Sequence, residues 1–343
     1  RRTVLDPVRV TDDIRSQYLS YVTTALPVRF GGLMDDLRQE LARPDCFVKG
    51  PYLEATPPFV QHSEAYDELI GRGFLCASWR GALGPDFPAG RRPYRHQFLA
   101  YQQVIERERN LIVATGTGSG KTESFLVPII DHLLRQGERG CLTPGVRALL
   151  LYPMNALAND QLKRLRELLH HLPQITFGRY TGDTRRTRAE AERQYHDEHV
   201  NAARFRRPLD NELLSRDEMH QRPPHILLTN YAMLEYLLLR PNASPLFEHG
   251  QWRFIVLDEA HTYDGARGIE VAMLLRRLKD RVVLSEPGRL RCVATSATMG
   301  TEPNAAAKIA AFAREVFCED FDATDVVMGE RGALSGPPGP QWT

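Results

Sequence analysis

Asp258 and Glu259 stand side by side after the apolar run Phe254-Ile-Val-Leu257, with His261 two residues further on. Carboxylates at the end of a buried strand can hold a divalent cation or draw a proton from water. A second stretch with chemical potential lies upstream. Asn110-Leu-Ile-Val-Ala114 leads into Thr115-Gly-Thr-Gly-Ser-Gly-Lys-Thr122. A strand, a glycine-rich turn and Lys-Thr opening a helix are the context of a phosphate loop. Glycines let backbone N–H groups curl around phosphate oxygens, and the helix N-terminus adds partial positive charge. Thr117, Gly118, Ser119, Gly120, Lys121, Thr122 and Glu123 are therefore expected to line a nucleotide. Lys121 would reach the β- and γ-phosphates and the Thr122 hydroxyl would ligate Mg²⁺. The strict spacing asks for glycine where Thr115 stands, so the small-residue requirement is loosened there. Asp258 would complete the metal site, and Glu259 would orient or deprotonate an attacking water. His261 raises a zinc hydrolase as a competitor, but no histidine precedes Glu259 at the spacing a zinc helix needs, and the acids follow a strand. An acidic surface turn is the plain alternative.

These residues need elements to hold them. From about residue 94, short apolar runs recur at 110–114, 147–152, 174–180, 225–229, 253–257, 291–295 and 325–328, separated by helix-like stretches. That alternation predicts an α/β fold with a parallel sheet covered on both faces. Ligands of such sheets bind at the carboxyl ends of strands, where the polar signals fall. Residues 182–224 break the rhythm. This charged interval reads either as a solvated insertion with one helix or as a basic surface carrying Arg185, Arg186, Arg188, Arg204, Arg206 and Arg207. Residues 1–93 lack the βα rhythm and read as a mostly helical accessory region. Residues 331–343 read as a Gly/Pro linker.

Composition sets outer bounds. With 343 residues, 42% hydrophobic and 25% charged, the chain suits a soluble globular protein of about two domains. A net charge of +1 means that any nucleic-acid footprint must be local. Five dispersed cysteines without a CxxC pair argue against zinc and for reduced thiols in a cytoplasmic protein. No apolar run approaches the ~20 residues of a membrane span. The chain opens Arg1-Arg2-Thr3 without Met, which suggests a piece of a longer protein.

An ordered set of motifs narrows the reading. Tyr94-Arg-His-Gln97 precedes the phosphate loop. Tyr152-Pro-Met-Asn-Ala-Leu-Ala-Asn-Asp-Gln161, Tyr180-Thr-Gly-Asp-Thr184, Thr229-Asn230 and Thr295-Ser-Ala-Thr298 follow successive strands. Together they resemble the first RecA-like domain of a superfamily 2 DEAD/DEAH-box helicase over residues 94–330. Within that superfamily the chain looks most like MrfA-like and Lhr-like bacterial DNA helicases, with helicase components of anti-phage systems in the same neighbourhood. The resemblance implies ATP and Mg²⁺ as cofactors and DNA as partner. A duplex translocase, an RNA helicase and a subunit that binds nucleic acid without unwinding it stand as alternatives.

The resemblance also implies residue roles. Gln97 would read the adenine edge, with Tyr94 beside it, unless it only caps a helix. Ser296 and Thr298, with His261, would couple nucleotide state to the strand. Pro153, Asn155, Gly182, Thr229 and Asn230 would grip the strand backbone, which positions without reading sequence. Thr229-Asn230 could instead be a simple helix cap. Met154 stands where the family often has Thr. A second RecA-like domain with arginines that complete the ATP site is expected in the whole protein, and the resemblance also admits protein partners in a defence or repair complex. Without that domain the fragment should be a poor ATPase, because an arginine finger is worth ~10³–10⁵ in rate.

Overall fold

A computed structural model describes residues 6–25, 31–43, 57–116, 118–200, 204–248, 251–297 and 304–333. Contacts divide the chain into two units, 1–57 and 58–343. In the first unit, α1 (Pro7–Ala25) touches α2 (Gly31–Ala42). The Asp6 carboxylate accepts the N–H groups of Val8 and Arg9 at 3.1 and 3.3 Å and so starts α1.

The second unit carries α3 (Tyr66–Gly71), α4 (Arg95–Tyr101), β1 (Leu111–Ala114), α5 (Lys121–Glu138), β2 (Ala148–Tyr152), α6 (Asn155–Leu169), β3 (Phe177–Arg179), α7 (Arg188–His199), β4 (Glu212–Leu213), α8 (Arg216–Gln221), β5 (Ile226–Asn230), α9 (Tyr231–Leu238), β6 (Phe254–Leu257), α10 (Gly265–Val283), β7 (Arg291–Ser296), α11 (Ala305–Phe317) and β8 (Val326–Met328). The eight strands form one sheet in the order β4-β3-β5-β2-β6-β7-β1-β8. Every pairing is parallel. Every residue of β1, β2, β6 and β7 is buried. This explains why β1, β2 and β6 appear as continuous apolar runs instead of alternating ones.

One face of the sheet packs against α4, α5 and α6, with Leu150, Val113 and Val256 meeting Leu126, Ile130 and Leu165. The other packs against α9, α10 and α11, with Leu149, Ile255 and Cys292 meeting Leu234, Leu275 and Val316.

One boundary differs from expectation, and the interval 182–224 holds more structure than expected. Residues 58–93 belong with the sheet, because Tyr66, Leu69, Trp79 and Phe87 are buried in the α4–α6 core. The unit boundary therefore falls at Pro57/Pro58 instead of residue 93. Within 182–224 the expected charged helix is α7, begun by a reciprocal cap in which the Thr187 N–H donates to Glu190 Oε2 at 3.2 Å. The rest of that interval adds the edge strand β4 and helix α8 to the fold. Two of its arginines are bound by acids: Arg188 donates to Glu192 and Glu218 at 2.7 and 2.8 Å, and Arg204 donates to both Asp86 oxygens. The linker expected at 331–343 falls outside the described residues from 334 onward.

Candidate functional site

The loop after β1 is built around two left-handed glycines. Gly118 has φ +74° and Gly120 φ +72°, and Gly120 is the N-cap of α5. A Cβ on Gly120 would lie 2.6 Å from Glu123 Oε2 and closer still to Gln97 Nε2. Glycine is thus required there twice over, by conformation and by space. Ser119 is turned inward, its hydroxyl 2.6 Å from that of Thr115 and its carbonyl 2.9 Å from His96 Nε2. The residue that departs from the usual glycine spacing therefore braces the loop. Lys121 and Thr122 open α5 and are partly exposed at the carboxyl end of β1. Thr117 lies outside the described residues.

Glu123 does not face a nucleotide. It is 1% exposed and is bound by three donors. Arg91 Nη2 donates to Oε1 at 3.2 Å, Arg164 Nη2 donates to the same oxygen, and Gln97 Nε2 donates to Oε2 at 3.2 Å. The reason is electrostatic: a carboxylate carried inward on the buried side of α5 needs cations, and Arg91 and Arg164 supply them. Gln97 is also inward and fully buried. Its Oε1 accepts the Tyr94 N–H at 2.8 Å and its Nε2 donates to the Gly120 carbonyl at 2.9 Å. In this structure Gln97 caps α4 and ties that helix to the phosphate loop. Tyr94 remains at the surface edge, stacked on His96 with ring centroids 5.6 Å apart.

The acid pair follows β6. The Asp258 N–H donates to the Leu151 carbonyl at 3.0 Å, extending the β2–β6 ladder by one residue. The Asp258 carboxylate is buried and accepts the Thr295 hydroxyl. Burial, reinforced by the adjacent Glu259, holds its carboxyl above the ordinary range despite that hydrogen bond. Glu259 adopts φ +49°, a left-handed conformation that costs a non-glycine residue ~1–3 kcal/mol. The turn is held by the Glu259 N–H donating to Thr295 Oγ1 at 3.1 Å and by the Thr262 hydroxyl donating to the Glu259 carbonyl at 2.8 Å.

The consequence is convergence. Glu259 Oε1 lies 3.0 Å from Lys121 Nζ. Glu259 Oε2 lies 3.4 Å from His261 Nδ1 in ion-pair range but makes no hydrogen bond. His261 Nδ1 is also 3.4 Å from Ser296 Oγ. Thr298 lies outside the described residues. Thr295, which no expectation singled out, is the centre of this arrangement. It stood within the quoted Thr295–Thr298 motif, but its role depends on β7 lying beside β6.

The expected strand-facing residues form a second group. Asn230 is the N-cap of α9, its Oδ1 accepting the Met233 N–H at 2.8 Å, while its Nδ2 donates to Asn155 Oδ1 at 2.7 Å. Asn155 Nδ2 in turn donates to Asp183 Oδ2 at 3.2 Å. This joins the carboxyl ends of β2, β3 and β5. Pro153 is half-exposed just before α6. Gly182 is exposed, its carbonyl accepting Arg216 Nη2 at 3.0 Å. Thr229 is the exception. It is fully buried, and its hydroxyl donates to the Tyr180 carbonyl at 2.6 Å, so its side chain pins β5 to β3 and faces no strand.

Residues 94–306 match the DEAD/DEAH box helicase family. Among curated proteins the chain is similar to the Druantia protein DruE of Escherichia coli, 34% identical over 82% of this chain and 20% of that protein. It is also similar to the ATP-dependent helicase Lhr-Core of Methanothermobacter thermautotrophicus, 31% identical over 52% of this chain and 19% of that protein. The chain thus spans about a fifth of the length of the curated relatives it matches. A solved structure of the DUF1998 helicase MrfA bound to DNA and AMPPNP shares the fold, with a TM-score of 0.55 at 21% identity, over 90% of this chain and 35% of that one.

Proposed function

The chain belongs to the DEAD/DEAH box helicase family, and on that footing we propose that it is a motor lobe of an ATP-dependent DNA helicase or translocase. The observation that carries this reading is the meeting of Lys121 with Glu259 at 3.0 Å across the carboxyl ends of the sheet. The cation suited to a terminal phosphate and the acid suited to a water beside that phosphate already share one place.

The residues also fit Mg²⁺. Among the described residues there is no cluster of three or more acids, histidines or cysteines that would cage a metal by itself. Mg²⁺ bound with substrate phosphates needs only one or two protein ligands and keeps several waters. Thr122 and the buried Asp258 carboxylate supply that set, and Thr295 fixes the Asp258 orientation. When bound, the ion neutralises charge on the phosphates. Lys121 exchanges Glu259 for a phosphate oxygen, and the amides of 118–120 cradle the phosphates. Glu259, freed from Lys121, accepts the proton of the attacking water. His261 spans Glu259 and Ser296 and senses that change. The polar chain Asp183–Asn155–Asn230, with Pro153 and Gly182 beside it, presents amides and short side chains to a strand backbone.

DNA is the strand favoured by the Lhr-like and MrfA-like similarities, and a second motor lobe of the same protein is the natural partner. A defence role is supported by the likeness to the Druantia protein. No helix of the described residues is long and apolar enough to cross a membrane, and the dispersed free thiols support a cytoplasmic setting. The test is DNA-stimulated ATP hydrolysis by the natural polypeptide that contains this chain, beside Glu259→Gln. Stimulation in the first and its loss in the second are expected. Hydrolysis indifferent to DNA overturns the motor reading.

A further inference from the structure

Glu123 connects the phosphate loop to a helix that reaches the strand-facing residues. It lies in the first turn of α5, where its N–H bonds the Gly120 carbonyl at 3.2 Å. Its side chain is 2% exposed. Arg91 and Gln97 hold the carboxylate from the segment before β1. The third donor, Arg164, belongs to α6. Nine residues earlier on α6, about 14 Å along a rigid helix, Asn155 bonds Asn230 and Asp183. The first residue of α6 and a residue nine further along it therefore grip two different sites. Arg164 is oriented for its task by Glu167, three residues on, which accepts Nη1 at 2.9 Å.

We propose that Arg164 is a positioning residue that couples the nucleotide loop to the strand-binding residues, acting through Glu123 in the second half of α6 and Asn155 at its first residue. The proposal rests on the helicase reading above. Lys121 is paired with Glu259 in this structure and must swing to a phosphate when nucleotide binds. That swing re-aims the first turn of α5, and the buried Glu123 carboxylate turns with it. A buried carboxylate keeps its cations, because parting from them leaves an uncompensated charge. Arg164 follows, and α6 shifts as a body, moving Asn155 against Asn230 and Asp183. The converse also holds, since coupling between two sites is reciprocal.

The experiment compares wild type, Arg164→Gln, Arg164→Lys and Glu167→Gln in the natural polypeptide. Three quantities are measured: affinity for adenylyl-imidodiphosphate alone, affinity for single-stranded oligothymidylate alone, and affinity for the strand with the nucleotide analogue saturating. The ratio of the last two is the coupling factor, typically about 5–150-fold where coupling exists. In Arg164→Gln both separate affinities should stay within about twofold of wild type while the factor falls towards one. Arg164→Lys should restore part of it, and Glu167→Gln should leave it intact. A merely structural pair would lower both separate affinities together and leave the factor alone, whereas a lower melting temperature is expected either way, since Arg164→Gln strips a cation from a buried carboxylate. If Arg164→Gln folds poorly, Arg164→Lys carries the comparison. A wild-type factor in the folded Arg164 variants overturns the relay. A wild-type protein that binds no strand overturns the functional reading, and the relay with it.

Discussion

Lys121 Nζ and Glu259 Oε1 are 3.0 Å apart, although β7 lies between the strands that carry them. The contact needs β1, β7 and β6 in register and a left-handed turn at Glu259, so it exists only in the folded sheet. On the proposed reading each residue occupies the other's working position. Glu259→Gln weakens that hold on Lys121 and removes the base. Nucleotide affinity should stay level or rise, while strand-stimulated kcat should fall by about 10²–10⁴-fold, the span of a lost general base. Nucleotide titration beside steady-state hydrolysis checks both halves, and wild-type turnover in the variant would remove Glu259 from the chemistry.

The two loop glycines should differ. Gly118→Ala meets open space and suffers only the left-handed conformation, ~1–2 kcal/mol. Gly120→Ala suffers the same strain and drives a methyl into Gln97 and Glu123. It should be the less stable by thermal denaturation and should lose nucleotide binding outright. Gly182→Ala is the control: its backbone is not left-handed and nothing lies within 4 Å of the added methyl. Its stability should change by less than about 0.5 kcal/mol, as at ordinary surface sites.

On the proposed reading Thr122 and Asp258 supply only part of a Mg²⁺ shell, so stabilisation by the ion should depend on nucleotide. Mg²⁺ alone should barely move the melting temperature. Mg²⁺ with ADP should raise it, since a ligand at 100 times its Kd adds about 2.7 kcal/mol. Asp258→Asn or Thr122→Ala should erase the part of that shift that needs Mg²⁺. A large shift from Mg²⁺ alone would mean a complete protein cage elsewhere.

Burial decided what was legible in the sequence. β1, β2 and β6 announce themselves because both faces are covered and apolar residues run through them unbroken, while β7 shows the same signal only over Cys292–Ala294. β4 is two residues, one of them a glutamate, and its burial depends on Arg166 donating to Glu212 inside the core and on its ladder to β3. The phosphate loop and the acid turn were readable because their chemistry is local. The inward roles of Glu123 and Thr229 were not, because each depends on a partner 41 or 49 positions away, whereas the cap made by Gln97 on Tyr94 is local and stood among the alternatives.

Acid should weaken the fold through two histidines. Burial, with Arg253 and Arg147 nearby, pushes His132 down to about 4. Burial and Arg147 push His225 to about 4 as well. Both stay neutral in the fold while the unfolded chain protonates them below about 6.5. Between those values the unfolded state binds more protons, so this stability is present above pH 6.5 and is lost as pH falls towards 4. The full window is worth on the order of 3 kcal/mol per histidine. His132→Leu keeps a contact on Phe254 and removes one titration. Urea unfolding at pH 7 and pH 5 should show the variant losing about 2 kcal/mol less than wild type over that interval. Equal losses would mean that His132 titrates normally.

Arg166 and Glu212 test whether the edge strand is held by charge or by packing. Arg166 donates Nη2 to Oε1 at 2.7 Å and Nε to Oε2 at 2.9 Å, with side chains 5% and 1% exposed. The guanidinium also lies 4.9 Å from the centre of the Tyr195 ring. Removing one partner leaves the other charged in a dry site, so Arg166→Met should cost about 3–5 kcal/mol. Removing both charges leaves no orphan, so Arg166→Met with Glu212→Leu should recover most of that loss, since well-packed apolar replacements of buried pairs are often neutral. A double-mutant cycle by urea unfolding gives the coupling directly. If Arg166→Met costs under about 1 kcal/mol, the pair behaves as a surface salt bridge. β4 would then be held by its ladder to β3 and by Leu213 alone.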